Sequence, residues 1–148
     1  MKILLDVNVV VDILGATEDF LYSYQALDIM MLRGFRPCLL VSEVPVAQYV
    51  LMARKLAGKE KSLEALKELL DLCEQLDVTP ADLREAFKEP LGDFEDALLA
   101  WAAKRHDVDL VLTRNLRDFK GSPVAVMDPQ RFCETYRPDG YKYDLVEL

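Results

Sequence analysis

Four aspartates stand where this sequence could do chemistry. Asp6 closes the apolar run Ile3-Leu4-Leu5, Asp93 and Asp96 open a segment of helical periodicity, and Asp118 follows the apolar run Leu110 to Thr113. Side chains three apart on a helix share a face, so Asp93 and Asp96 repel each other and need a counter-charge. The exposed N–H groups and dipole of a helix N-terminus supply part of one, which makes capping the structural role for Asp93. A hard divalent cation, Mg2+ or Mn2+, is the other answer: it takes carboxylate oxygens and activates water for phosphodiester attack. Spacing alone leaves both open.

The elements that must position these acids follow from apolar patterning. Lys2 to Asp6 and Pro37 to Val41 are short apolar runs of the kind buried in a parallel sheet, as are Leu110 to Thr113 and Val124 to Met127. Asp77-Val78 is a candidate short edge strand. Between the strands lie helical patterns. Asn8 is placed to cap Val9 to Leu14, and Phe20 to Met31 recurs at helical spacing until Gly34. Ser42 precedes a helix to about Leu56, with Pro45 tolerated in its first turn. From Ser62, Leu63, Leu66, Leu69, Leu70, Cys73 and Leu76 make an amphipathic stripe. Thr79-Pro80 opens a helix to about Lys88, broken by Pro90-Leu91-Gly92, and Asp93 starts another to about His106, with Phe94 and Trp101 on its apolar side. Pro129 to Tyr136 is a terminal helix. Strands joined by helical crossovers imply an α/β fold with a mostly parallel sheet of four to five strands between helices, and such sheets bind ligands beyond the carboxyl ends of their strands.

At 148 residues the chain fits one domain, taken as residues 1–136 followed by a polar tail, 137–148, that carries Tyr141 and Tyr143. No apolar run reaches the roughly 20 residues needed to cross a bilayer, and the N-terminus lacks a signal-peptide pattern, so a cytoplasmic protein without membrane contact is expected. Cys38, Cys73 and Cys133 are odd in number and lie in apolar segments, which predicts reduced core thiols. The net charge of -8 argues against a broadly basic nucleic-acid surface, though not against a local basic track. His106, the lone histidine, has no second histidine for a relay or zinc site and suits a helix C-terminus.

Three segments in order, Asp6-Val7-Asn8-Val9-Val10-Val11-Asp12, Asp93-Phe94-Glu95-Asp96-Ala97-Leu98 and Leu112-Thr113-Arg114-Asn115-Leu116-Arg117-Asp118-Phe119, resemble the PIN-domain family. The resemblance implies a single PIN-like domain and a Mg2+- or Mn2+-dependent ribonuclease site, and many small members resemble the toxins of toxin-antitoxin pairs. Carried over position by position, Asp6 matches the first metal-ligating acid, Asp96 the third, and Asn115 to Asp118 the segment of the last. Asp93 and Asp118 then assist, Asn8 orients Asp6, and the Thr113 hydroxyl bonds a carboxylate or phosphate. Arg54, Lys55, Arg114, Arg117 and Lys120 are candidates for the RNA backbone, each with ordinary solvated charge as its plain reading.

One position departs from the pattern. The family's second acid stands about six residues after a Ser or Thr at the end of strand two; that serine resembles Ser42, and the counted position is Gln48. Arg54-Lys55 then falls on a basic pair often seen later in the helix. Glu43 stands five residues before Gln48 and is rotated from it by roughly 140° on a helix, which disfavours it as a substitute. Two functions follow: a metal-dependent endoribonuclease with a weakened site, RNA as substrate and an antitoxin or second copy as partner, or a catalytically impaired module that binds RNA or protein. A phospho-acceptor receiver domain also places acids at parallel strand ends, but it expects an adjacent acid pair after strand one, and Val7 follows Asp6.

Overall fold

The computed structural model describes residues 1–88 and 91–142. The expected break at Pro90 and Tyr143 lie outside the described residues. Among them, five strands form one parallel sheet in the order β3-β2-β1-β4-β5. These are β1 (Lys2–Leu5), β2 (Arg36–Leu40), β3 (Glu74–Leu76), β4 (Leu110–Leu112) and β5 (Ala125–Met127). The helices are α1 (Val7–Gly15), α2 (Phe20–Arg33), α3 (Glu43–Ala53), α4 (Lys59–Leu72), α5 (Pro80–Lys88), α6 (Phe94–Arg105) and α7 (Pro129–Tyr136), with a 3-10 turn at Leu116–Phe119.

Strand pleating sends alternate side chains to opposite faces, and β1 divides its apolar residues between two cores. Ile3 and Leu5 join Val9, Val10, Ile29, Met30, Leu66, Leu69 and Phe132 beneath α1, α2, α4 and α7. Leu4 joins Cys38, Leu40, Leu99, Ala103 and Val111 on the α6 side. A strand buried on both faces needs an unbroken apolar run, and that is why Ile3-Leu4-Leu5 is one. Strand order reverses at β1: the chain steps outward through β2 and β3, then returns to the other flank for β4 and β5. A parallel sheet opens its ligand crevice beyond the carboxyl ends of the strands at such a reversal, here past Leu5 and Leu112.

The elements depart from the sequence reading in detail. α1 begins two residues early, because Asp6 rather than Asn8 occupies the N-cap and accepts the Val7 N–H. The edge strand lies at Glu74–Leu76, paired with Cys38 to Leu40, so Asp77-Val78 follows it. α4 starts at Lys59 from a Gly58 cap, and Ser62 is buried within its first turns with its hydroxyl on the Lys59 carbonyl. Leu63 is about half exposed. Phe94 is not a core residue: it is exposed and packs on exposed Phe87, ring centroids 4.7 Å apart. Cys38 and Cys133 are buried and Cys73 half-buried, all free thiols, with burial pushing them up to about 11, 11 and 12 respectively. No helix among the described residues is long and apolar enough to cross a membrane.

Candidate active site

The ends of β1 and β4 meet at one side chain. Asp6 is buried at the tip of β1, and its backbone N–H still bonds the Leu112 carbonyl of β4. Oδ1 accepts the Val7 N–H at 2.7 Å; Oδ2 accepts the Thr113 hydroxyl at 2.7 Å and the Asn8 amide at 3.0 Å. Asn8 in turn takes the Arg114 N–H on its Oδ1 at 3.2 Å, and the Thr113 oxygen takes the Asn115 N–H at 3.0 Å. The carboxylate orientation is therefore set from three sides. Thr113 is fully buried, consistent with the carboxylate-bonding role carried over to it.

Around Asp6 lies a cleft of about 250 Å³, whose walls include Asn8, Arg54, Asp93, Glu95, Asp96, Arg114, Asn115 and Asp118. Asp93 caps α6, its Oδ1 taking the Glu95 N–H at 3.0 Å, so the capping role is the one the structure displays for it. Asp96, in the first turn of α6, is pushed up to about 7 by burial and then by the charges of Asp6, Asp93, Asp118 and Glu95. Burial also raises Asp6, with Glu95 adding repulsion, while the bonds from Thr113, Val7 and Asn8 oppose it. The loop before α6 approaches closely: a Cβ on Gly92 would lie 3.3 Å from Asp118 Oδ1, so a larger residue would press on that carboxylate.

Position 48 is where the structure corrects the sequence reading. The buried face of α3 repeats at Glu43, Ala47 and Leu51, a four-residue period, and Gln48 lies about 100° off it. Gln48 lines a groove between α3 and α4 with Val44, Pro45, Leu63, Leu66 and Leu70, and is not among the residues of the acidic cleft. Glu43 is the buried acid of α3, and its carboxyl feels Glu95, Asp6 and Asp96. It is pushed up to about 8, first by burial and then by those charges. Its Oε2 is buried without a hydrogen-bond partner. Ser42 holds the cap position of α3 but makes no side-chain cap bond.

The basic candidates separate. Arg54 lines the cleft, whereas Lys55, with φ of 57°, turns to a neighbouring hollow beside Met52, Leu56 and Lys61. Arg117 lies in the 3-10 turn and is not a cleft residue. Arg114 is committed to a network that sequence reading missed. Its Nε and Nη2 bond Asp12 at 2.6 and 3.2 Å, its Nη1 lies 3.4 Å from Asp19, and Asp12 also accepts the hydroxyls of Thr17 and Ser23. Asp12 is fully buried, so this pair ties the segment after β4 to α1. His106 occupies the C-cap of α6, its ring against Asp77.

The PIN-domain model matches residues 2–117, which span β1 through the Arg114 network. The chain belongs to the PIN-domain family. No curated protein matches the sequence significantly. Among solved PIN-like structures, VapBC2 from Rickettsia felis bound to a promoter DNA fragment superposes with a TM-score of 0.64 at 21% identity, covering 86% of this chain and 98% of that one. FitAB bound to the IR36 DNA fragment gives 0.64 at 26% identity, over 86% and 94%. A toxin-antitoxin complex from Klebsiella pneumoniae gives 0.59 at 19%, over 85% and 96%.

PIN-domain nucleases generally use divalent metals, so the fit of this donor set to a cation matters. Among the described residues, no group of three or more His, Cys, Asp or Glu is already drawn together as a ligand cluster. The donors nonetheless suit a hard cation. They are all carboxylate oxygens, they raise one another's proton affinity, and one buried oxygen of Glu43 has no partner. Acids crowded in this way relax toward an added positive charge.

Proposed function

We propose that this PIN domain is a metal-dependent endoribonuclease and the toxin member of a toxin-antitoxin pair. The observation that carries the reading is the crowding of Asp6, Glu43 and Asp96 at the carboxyl edge of the sheet, where each raises its neighbour's proton affinity and a bound cation would stabilise them in their ionised form. Asp6 and Asp96 would hold Mg2+ or Mn2+, with Glu43 as the further acid and Asp93 and Asp118 assisting. Once bound, the cation would supply a nucleophilic water and neutralise charge on the phosphodiester.

The chain's own residues do the rest. Thr113 and Asn8 orient Asp6, and Arg54 on the cleft wall offers a contact to the RNA backbone. The impaired-module reading draws on Gln48 and on the net charge of -8; Glu43 beside Asp6 and Asp96 favours the enzyme over it by offering a further carboxylate. The toxin role is supported by the likeness to a toxin-antitoxin complex. Exposed apolar residues such as Tyr49 and Phe87, each 72% exposed, offer surface to an antitoxin or a second copy.

The test is RNA cleavage with Mn2+ by the parent and by Asp6→Asn, Glu43→Gln, Asp96→Asn and Gln48→Glu. The reading expects cleavage to fall by orders of magnitude in the first three and to change little in the fourth. Cleavage that survives Asp6→Asn and Asp96→Asn would overturn the site, and a gain from Gln48→Glu would return position 48 to it.

A further inference from the structure

Beside the acidic cleft lies a second cavity of about 300 Å³, between the start of α2 and the start of α7, lined among others by Asp19, Tyr22, Arg114, Asp128 and Gln130. Arg114 lines both cavities. The volume is at the small end of the range for small-molecule sites. Tyr22 is 42% exposed, so part of its ring is available to a ligand, and Gln130 is exposed. Arg114 is held by Asp12 and Asp19 as a fixed guanidinium plane.

The polar groups here favour one kind of ligand. Arg114 is outnumbered by Asp12, Asp19 and Asp128, so the cavity repels a phosphate. A neutral planar group meets no such penalty. Asp19 offers carboxylate oxygens, Asp128 has a second oxygen beyond the one that accepts the Arg131 N–H, and Gln130 offers an amide. Acceptors predominate, so the matching ligand edge is rich in donors. Among nucleobases that edge belongs to guanine, whose N1–H and N2–H2 lie side by side. Tyrosine rings and guanidinium planes are the surfaces on which unstacked RNA bases lie.

We propose that this cavity is a base-specificity subsite that takes a guanine splayed out of single-stranded RNA next to the phosphate held in the acidic cleft. The proposal rests on the nuclease reading above and adds a sequence preference to it: Arg114 lines both cavities, so the base pocket adjoins the acidic cleft.

The test uses the full chain carrying Asp6→Asn and Asp96→Asn, so that RNA stays intact. Single-stranded octaribonucleotides with one guanine, or with adenine, uracil or hypoxanthine at that position, are titrated by fluorescence anisotropy. Guanine is expected to bind about tenfold tighter than adenine, the scale of one hydrogen bond to a charged acceptor, with hypoxanthine between them because it lacks the N2 amino group. Adding Asp19→Asn or Asp128→Asn should erase the preference, whereas Tyr22→Ala should weaken the binding of every base alike, and melting curves confirm that each variant is folded. Equal binding of all four bases, no binding at all, or a preference that survives both aspartate substitutions would overturn the proposal. Cleavage by the parent with Mn2+ is scored separately: cleavage without guanine preference overturns the subsite alone, and loss of all cleavage overturns the nuclease reading while the binding comparison still decides the subsite.

Discussion

Raising the pH of the metal-free protein from 5 to 8 should lower its melting temperature, and Glu43 should be the main cause. Its carboxyl ionises near 4.5 in an unfolded chain and near 8 in the fold. Between those values folding takes up a proton, so the stability this group contributes is fully present below pH 4.5 and is lost as pH rises through 8. Each tenfold of proton affinity is about 1.4 kcal/mol. Over pH 5 to 8 the loss is about 3 kcal/mol once part of the repulsion is assigned to Glu95, Asp6 and Asp96. For a chain of this size that is on the order of 10 °C in Tm. Thermal scans at half-unit pH intervals in chelator read it directly. In Glu43→Gln the slope should fall by more than half, because the amide has no charge to bury. Millimolar Mn2+ at pH 8 should restore the parent's stability. A profile that is flat or rises from pH 5 to 8, or a slope that Glu43→Gln leaves intact, would refute the placement of Glu43 among the acids.

Two further outcomes follow from the same geometry. Arg114→Ala leaves the fully buried Asp12 without its ionic partner and should cost about 3 kcal/mol, the scale for breaking a buried pair; denaturant unfolding checks it, and a cost near zero would mean the pair is solvated. Thr113→Val removes the 2.7 Å bond to Asp6 and should weaken Mn2+ binding by at least tenfold in calorimetry, the usual effect of losing a group that orients a ligand.

Much of this arrangement is legible in the sequence because it is local. An apolar run closed by an acid places Asp6 at a buried strand end, and a threonine closing another such run places Thr113 beside it once the two strands are neighbours. The cap at Asp93 and the helix it starts are also short-range features. The phase of α3 is not. Counting from Ser42 fixes which residues share a helix face, but which face turns to the sheet is decided by Ala47 and Leu51 packing into the fold. That choice brought in Glu43 and moved Gln48 to the α4 side. Arg114 and Asp12 are 102 residues apart, and nothing in either local motif marks them as partners. Phe94 carries an apolar side chain at a helical position, yet with exposed Phe87 as its neighbour it packs at the surface.

The position of a bound divalent cation decides whether these acids form a metal site. Crystals of the parent soaked in Mn2+ and measured at the manganese absorption edge should show an anomalous peak between the carboxylates of Asp6 and Asp96, with Glu43 turned toward it and the peak absent in Asp96→Asn. No peak at millimolar Mn2+, or one held by residues away from Asp6, would contradict a metal site there.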